Sequence, residues 1–134
     1  ALADPVAEGR RAAAAEANRR RPDGIRLVTT ERDRSPEHAT LAHGAAVMTA
    51  LTTAAELLAD DAALVVTKGG ITASDVIHGS LGAQRARVRG QVQPGVSVWD
   101  VSGRNGDVRC VIVPGNMGSA TVLVDVVGWA RGRS

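Results

Sequence analysis

The chain has 134 residues, 44% hydrophobic and 22% charged, with sixteen basic side chains against fourteen acidic and a formal net charge of +2. This composition excludes a disordered chain, and the charge excess is too slight for a protein that holds polyanions by bulk charge. A single cysteine, Cys110, excludes an internal disulfide framework and a cysteine zinc cage, and no run nears the roughly 18 apolar residues of a membrane helix.

The core must be filled by Val, Leu, Ile and Ala, because Phe and Tyr are absent and Trp99 and Trp129 are the only aromatics. Small side chains yield little transfer energy each, so stability depends on close approach of helices to a sheet. The first residues carry Asp4 and Glu8 and no apolar stretch like that of a secretory signal. The expectation is a soluble, cytoplasmic, single-domain chain: an N-terminal helix within 1–24 and a core over 25–131.

Pro5 to Arg21 is rich in Ala, with Glu8 and Glu16 among arginines, and reads as a helix stopped by Pro22-Asp23-Gly24. Arg19-Arg20-Arg21 complements the end of its dipole. Ile25 to Thr30 has strand composition. Ser35-Pro36-Glu37 signals a helix start, with Ser as N-cap and Pro in the first turn. The helix that follows spaces Leu41, Ala45, Met48, Leu51, Ala55 and Leu58 along one apolar face and ends near Asp60-Asp61.

Ala62 to Thr67 predicts a short buried strand and Thr72 to Leu81 a short helix. Arg85 to Gln93 alternates, with Arg85, Arg87, Arg89, Gln91 and Gln93 on one side and Ala86, Val88 and Val92 on the other. An exposed strand guarded by charge explains the arginine ladder better than nucleic-acid binding does. Gly95 to Val101 and Val108 to Val113 predict two more strands, with Asn105-Gly106 supplying hairpin turn chemistry. Ala120 to Ala130 is read as a buried helix. The order α-β-α-β-α-β-β-β-α predicts an α/β fold: a three-layer mixed sheet with helices on both faces, closing on a hairpin and then a helix.

Two junctions share one plan of apolar strand, glycine turn and helix: Val65-Val66-Thr67-Lys68-Gly69-Gly70-Ile71-Thr72 and Ile112-Val113-Pro114-Gly115-Asn116-Met117-Gly118. Ligands of open α/β sheets gather outside the carboxyl ends of strands, where helix N-termini offer N–H groups to anions. Gly69 and Gly70 would let the main chain approach a phosphate. Equally, Thr72-Ala73-Ser74-Asp75 fits a capping box in which the helix satisfies its own end. Ser119 could likewise cap the helix after the second turn. Neither a Walker loop nor a G-x-G-x-x-G is present. His38, His43 and His78 lack metal-ligand spacing, and no serine triad, carboxylate dyad or catalytic cysteine stands out. The residues support binding rather than chemistry.

Three ordered segments, Lys68-Gly69-Gly70-Ile71-Thr72-Ala73-Ser74-Asp75-Val76, Gly90-Gln91-Val92-Gln93-Pro94-Gly95-Val96-Ser97-Val98-Trp99 and Val113-Pro114-Gly115-Asn116-Met117-Gly118, resemble the C-terminal nucleotide-binding domain of the four-carbon acid sugar kinase family. Some relatives carry the label Hrp-dependent type III effector. The resemblance runs from about Ile25 to Trp129. It implies an ATP-dependent kinase, acting with Mg²⁺ on threonate, erythronate or a 3-oxo-tetronate-like acid. Gly69, Gly70, Ile71, Thr72, Gly115, Asn116 and Gly118 would contact the nucleotide.

The sugar acid and catalytic aspartate would belong to an N-terminal domain with an Asp-Asp-x-Thr-Gly type motif, which this chain lacks. The chain is therefore expected to be a C-terminal fragment of a two-domain kinase, inactive alone and able to form homo-oligomers, with no nucleic-acid or membrane partner. Lys68 and Val113 depart from the family pattern, and the glycine-serine-rich opening before Ile25 is missing. These departures motivate an alternative: a non-catalytic interaction or regulatory module that keeps the fold without binding nucleotide.

Overall fold

The computed structural model describes residues 4–18, 25–29, 41–60, 62–115 and 121–132. The chain divides into two compact units, Ala1–Asp61 and Ala62–Ser134.

The first unit is a helix pair, α1 (Pro5–Asn18) and α2 (Leu41–Ala59). Asp4 caps α1, accepting a hydrogen bond from Ala7 N–H at 3.1 Å ahead of Pro5 in the first turn. The helices approach closely at Gly9, where an added Cβ would overlap the Ala50 carbonyl and stand 2.7 Å from Thr53 Cβ. Among the described residues of α2, Ala54 is fully buried, whereas Ala45, part of the expected apolar face, is exposed. Ile25–Thr29 forms no strand; instead Leu27 N–H donates to the buried Glu16 carboxylate at 2.9 Å. Thr30 and the Ser35-Pro36 helix start lie outside the described residues.

The second unit is a four-stranded mixed sheet in the order β1-β4-β3-β2: β1 (Leu64–Lys68), β2 (Ala86–Gln93), β3 (Val96–Gly103) and β4 (Gly106–Val113). β2, β3 and β4 form an antiparallel meander, and β1 joins β4 in parallel, so that Leu64 faces Arg109 and Lys68 faces Val113. The hairpin loop is Arg104-Asn105, one residue ahead of expectation, and Gly106 carries the positive φ of +117°. The C-terminal segment forms a helix, α4 (Val122–Arg131), as its length and preceding glycine turn suggest.

On one face, α4 sets Val122 and Val126 against Val96, Val98, Val111 and Val113, with Leu64, Val66, Val92 and Trp129 around them. Strand alternation sends Thr67, Val101 and Cys110 to the opposite face, and all three are buried. That side meets the segment after β1: α3 (Gly70–Asp75) and a π-helical turn (Val76–Ser80) closed by Leu81 N–H on the Val76 carbonyl at 2.9 Å. Arg104 N–H donates to the Leu81 carbonyl at 2.6 Å, and a Cβ on Gly103 would stand 3.1 Å from the same oxygen. Helices thus lie on both faces of the mixed sheet.

β2 is an exposed edge strand, as its arginines suggest, but two bulges break the expected alternation. The register jumps from Val88↔Trp99 to Gly90↔Val98, leaving Arg89 as the extra residue. Val88, before the bulge and opposite Trp99, is 61% exposed rather than inward, and beyond it Val92 packs on the α4 side.

Candidate functional site

The parallel pairing of β1 and β4 places the carboxyl ends of both strands side by side. The two glycine bends that follow are in direct contact. Gly69 N–H donates to the Val113 carbonyl at 2.7 Å, and a Cβ on Gly115 would stand 3.6 Å from Gly69 Cα. Gly69 has φ +107°, a conformation that residues bearing a Cβ rarely adopt. The first bend thus requires glycine for its backbone turn, and the second sits flush against it.

α3 starts at Gly70, two residues before the sequence reading places it, with Gly69 at the N-cap position. Thr72, Ser74 and Asp75 therefore lie inside the helix, and no capping box forms; no side chain caps the first turn. Gly69 O accepts from Ala73 N–H at 3.0 Å, closing the first helical turn. The amides of Gly70, Ile71 and Thr72 precede that bond, at the end of the helix where the dipole is positive. Asn116 and Gly118 lie outside the described residues, as does Ser119, so the second bend is described through Gly115.

Lys68, which reads in the sequence only as a departure from a family pattern, ties the bends together. Its ammonium donates to the Gly115 carbonyl at 3.1 Å. The signal available was its position, last in a strand and directly before the glycines. One residue earlier on the other face, the Thr67 hydroxyl is buried without a hydrogen-bond partner. Among the described residues no group of three or more His, Cys, Asp or Glu could hold a metal ion. His78, which is exposed, pairs its Nδ1 with the Ala83 carbonyl at 3.1 Å.

A second polar cluster lies toward the opposite end of the strands. Arg109 grips Asp100 with two bonds, Nε–Oδ1 at 2.8 Å and Nη2–Oδ2 at 3.2 Å, and Arg89 Nε lies 3.4 Å from Oδ2. The Arg109 hydrogen bond and charge, joined by the charges of Arg89 and Arg87, hold the Asp100 carboxyl below its usual range. Two arginines of the ladder, Arg87 and Arg89, thus lie near one carboxylate on β3. Cys110 is fully buried, and burial, with the nearby Asp100 charge, pushes its thiol up to about 11.

Residues 2–123 match the family described as a nucleotide-binding C-terminal domain, a span that contains both glycine bends. The chain belongs to this family. The domain is similar to a DUF1537 protein, a domain of unknown function, from Bordetella bronchiseptica, solved with bound citrate as a domain-swapped dimer in two crystal forms. In the first, identity is 26% and the TM-score 0.69, covering 95% of this chain and 31% of that one. In the second, identity is 24% and the TM-score 0.64, covering 97% and 32%, a likeness of fold. The nucleotide-binding domain described here therefore spans about a third of the length of the protein it resembles. Comparison with curated proteins finds no match. No helix among the described residues is long and apolar enough to cross a membrane.

Proposed function

We propose that this chain is the ATP-binding part of a kinase, holding the nucleotide's phosphates against Gly69, Gly70, Ile71 and Thr72 and against the turn of Gly115, Asn116 and Gly118. The observation that carries the reading is the contact of the two bends, with a Gly115 Cβ position 3.6 Å from Gly69 Cα at the carboxyl ends of neighbouring parallel strands. In a chain of this family, two glycine turns brought to one point would set main-chain N–H groups around a single anion.

The residues present suit a nucleotide. The uncapped start of α3 leaves its first amides to a guest, the glycines allow backbone approach, and Lys68 adds a cation beside the Gly115 carbonyl. Mg²⁺, entering with the nucleotide, would bridge phosphate oxygens and neutralise developing charge. The chain's own part is to bind and orient: phosphoryl transfer depends mainly on positioning and electrostatics, which backbone amides can supply.

The acceptor would be a hydroxyl of a four-carbon sugar acid of the threonate, erythronate or 3-oxo-tetronate kind. Acceptor and catalytic base would come from an N-terminal substrate domain of the same longer protein, with residues 1–134 forming the nucleotide-binding part. The citrate and domain-swapped dimer of the Bordetella protein support a polyanion-binding, self-associating assembly for this chain too.

Calorimetric titration with Mg·ATP tests the reading. Saturable binding is expected, weakened by Gly70→Val or Gly118→Val. A chain that binds no nucleotide at millimolar concentration would instead be an interaction module on the same fold.

A further inference from the structure

Beside the C-terminal end of α4, the sheet forms a concavity of about 170 Å³ lined by Arg89, Gly90, Gln91, Val98, Arg109 and Trp129. At ~30 Å³ of liquid volume per water, that is room for about five or six waters, or one ring bearing an acid group. It is separate from the glycine bends: Arg109 pairs with Leu64 at the start of β1, whereas the bends follow Lys68 and Val113 at the other end.

Its chemistry comes from side chains of β2, β3 and β4. Arg89, the extra residue of the β2 bulge, lies beside Asp100 and in the wall of the concavity. Asp100 commits both oxygens to Arg109, and Arg89 reaches it only at 3.4 Å. Arg87, registered opposite Asp100 on the neighbouring strand, adds a third positive charge nearby. Three cations around one anion leave a local surplus of positive charge. The side chains of Arg89 and Arg109 are 47% and 43% exposed, so their forks can be reached from solvent. Half-buried Trp129 adds an indole, and Val98, buried in the core, closes the floor.

We propose that this concavity binds a small organic anion, its carboxylate or phosphate held by Arg89 and Arg109 and its body lying beside Trp129. Guanidinium N–H groups suit either oxyanion, and Asp100, which takes the Nε and Nη2 edge of Arg109, fixes that guanidinium in place. The proposal stands apart from nucleotide binding at the glycine bends.

Nuclear magnetic resonance of the arginine Nε–H and Trp129 indole N–H signals tests it, with benzoate and inorganic phosphate titrated separately at constant ionic strength. Benzoate is expected to shift the Arg89, Arg109 and Trp129 signals saturably. Arg89→Gln should weaken it about tenfold, the loss of one charge-assisted contact. Arg89→Lys, which keeps charge but not the fork, should fall between, and Arg85→Gln should bind as the unaltered chain does. Tighter saturation by phosphate without movement of Trp129 would name phosphate as the oxyanion source; tighter saturation by benzoate with Trp129 shifting would name a carboxylate. Shifts that never saturate, equal losses in Arg85→Gln and Arg89→Gln, or unchanged binding in Arg89→Gln would overturn the proposal.

Discussion

The Lys68 ammonium donates to the Gly115 carbonyl oxygen at 3.1 Å, joining positions 47 residues apart. The bond crosses the gap between the two glycine bends and puts one positive charge where both open. Replacing Lys68 with Met should reduce Mg·ATP affinity about five- to tenfold, since a charge-assisted contact to phosphate is lost. Stability should change by less than ~1 kcal/mol, because the bond is exposed. Lys68→Arg should restore much of the affinity. Calorimetry and thermal unfolding of the same samples separate the two effects.

The two glycines at the bends should respond differently to alanine. Gly69 has φ +107°, so Gly69→Ala should cost about 1–2 kcal/mol in backbone strain. A Cβ on Gly115 would meet Gly69 Cα at 3.6 Å, an ordinary van der Waals separation. Gly115→Ala should therefore stay within about 0.5 kcal/mol of the parent. Denaturant unfolding of the two variants would refute this account if their order were reversed.

In the helix pair, Gly9→Ala inserts a methyl group into the Ala50 carbonyl and within 2.7 Å of Thr53 Cβ. Neither neighbour is the far end of a flexible side chain, so α1 and α2 must separate. A loss of about 2–3 kcal/mol is expected, despite alanine's better helix propensity. Denaturation followed by circular dichroism measures it, and a stabilised variant would contradict the close approach.

Thr67 carries a buried hydroxyl without a partner. A buried polar atom left unpaired costs about 1–3 kcal/mol, whereas an apolar group of the same shape does not. Thr67→Val should accordingly be neutral or stabilising by about 1 kcal/mol, with Mg·ATP affinity unchanged. A destabilised variant would show that the hydroxyl finds a partner in solution.

Cys110 gives an alkaline signature. Its folded pKa is pushed up to about 11 from an ordinary 9.0. Above pH 9 the unfolded chain loses this proton while the folded one retains it, so stability falls with rising pH until the folded thiol also titrates. The full effect is about 3 kcal/mol between pH 9.0 and about 11. Cys110→Ala should remove that part of the slope, and the native thiol should react slowly with a disulfide reagent at pH 8.

Much of the second unit is legible in the residue pattern. Val111, Ile112 and Val113 before Pro114-Gly115 announce a buried strand and a turn, and Gly69-Gly70 after Val65 and Val66 does the same. What local pattern does not contain is the partner of each strand: that Lys68 pairs with Val113 follows from a contact between distant segments. The β2 bulge escaped for a related reason. Arg85 to Gln93 fits perfect alternation, and only the Trp99 and Val98 partners reveal that Arg89 is extra. The capping-box alternative at Thr72 failed because glycine at position 69 already turns the chain, so the helix begins two residues sooner.

The parallel join of β1 to β4 bears on the order of assembly. The meander β2–β3–β4 closes through short loops, but β1 must find β4 across an intervening helix and two strands. Loop-closure entropy makes such long-range pairing slow relative to local hairpins. The cleft mouth therefore takes shape late, after the meander exists, and a guest seated there would act as a kinetic clasp on the final step.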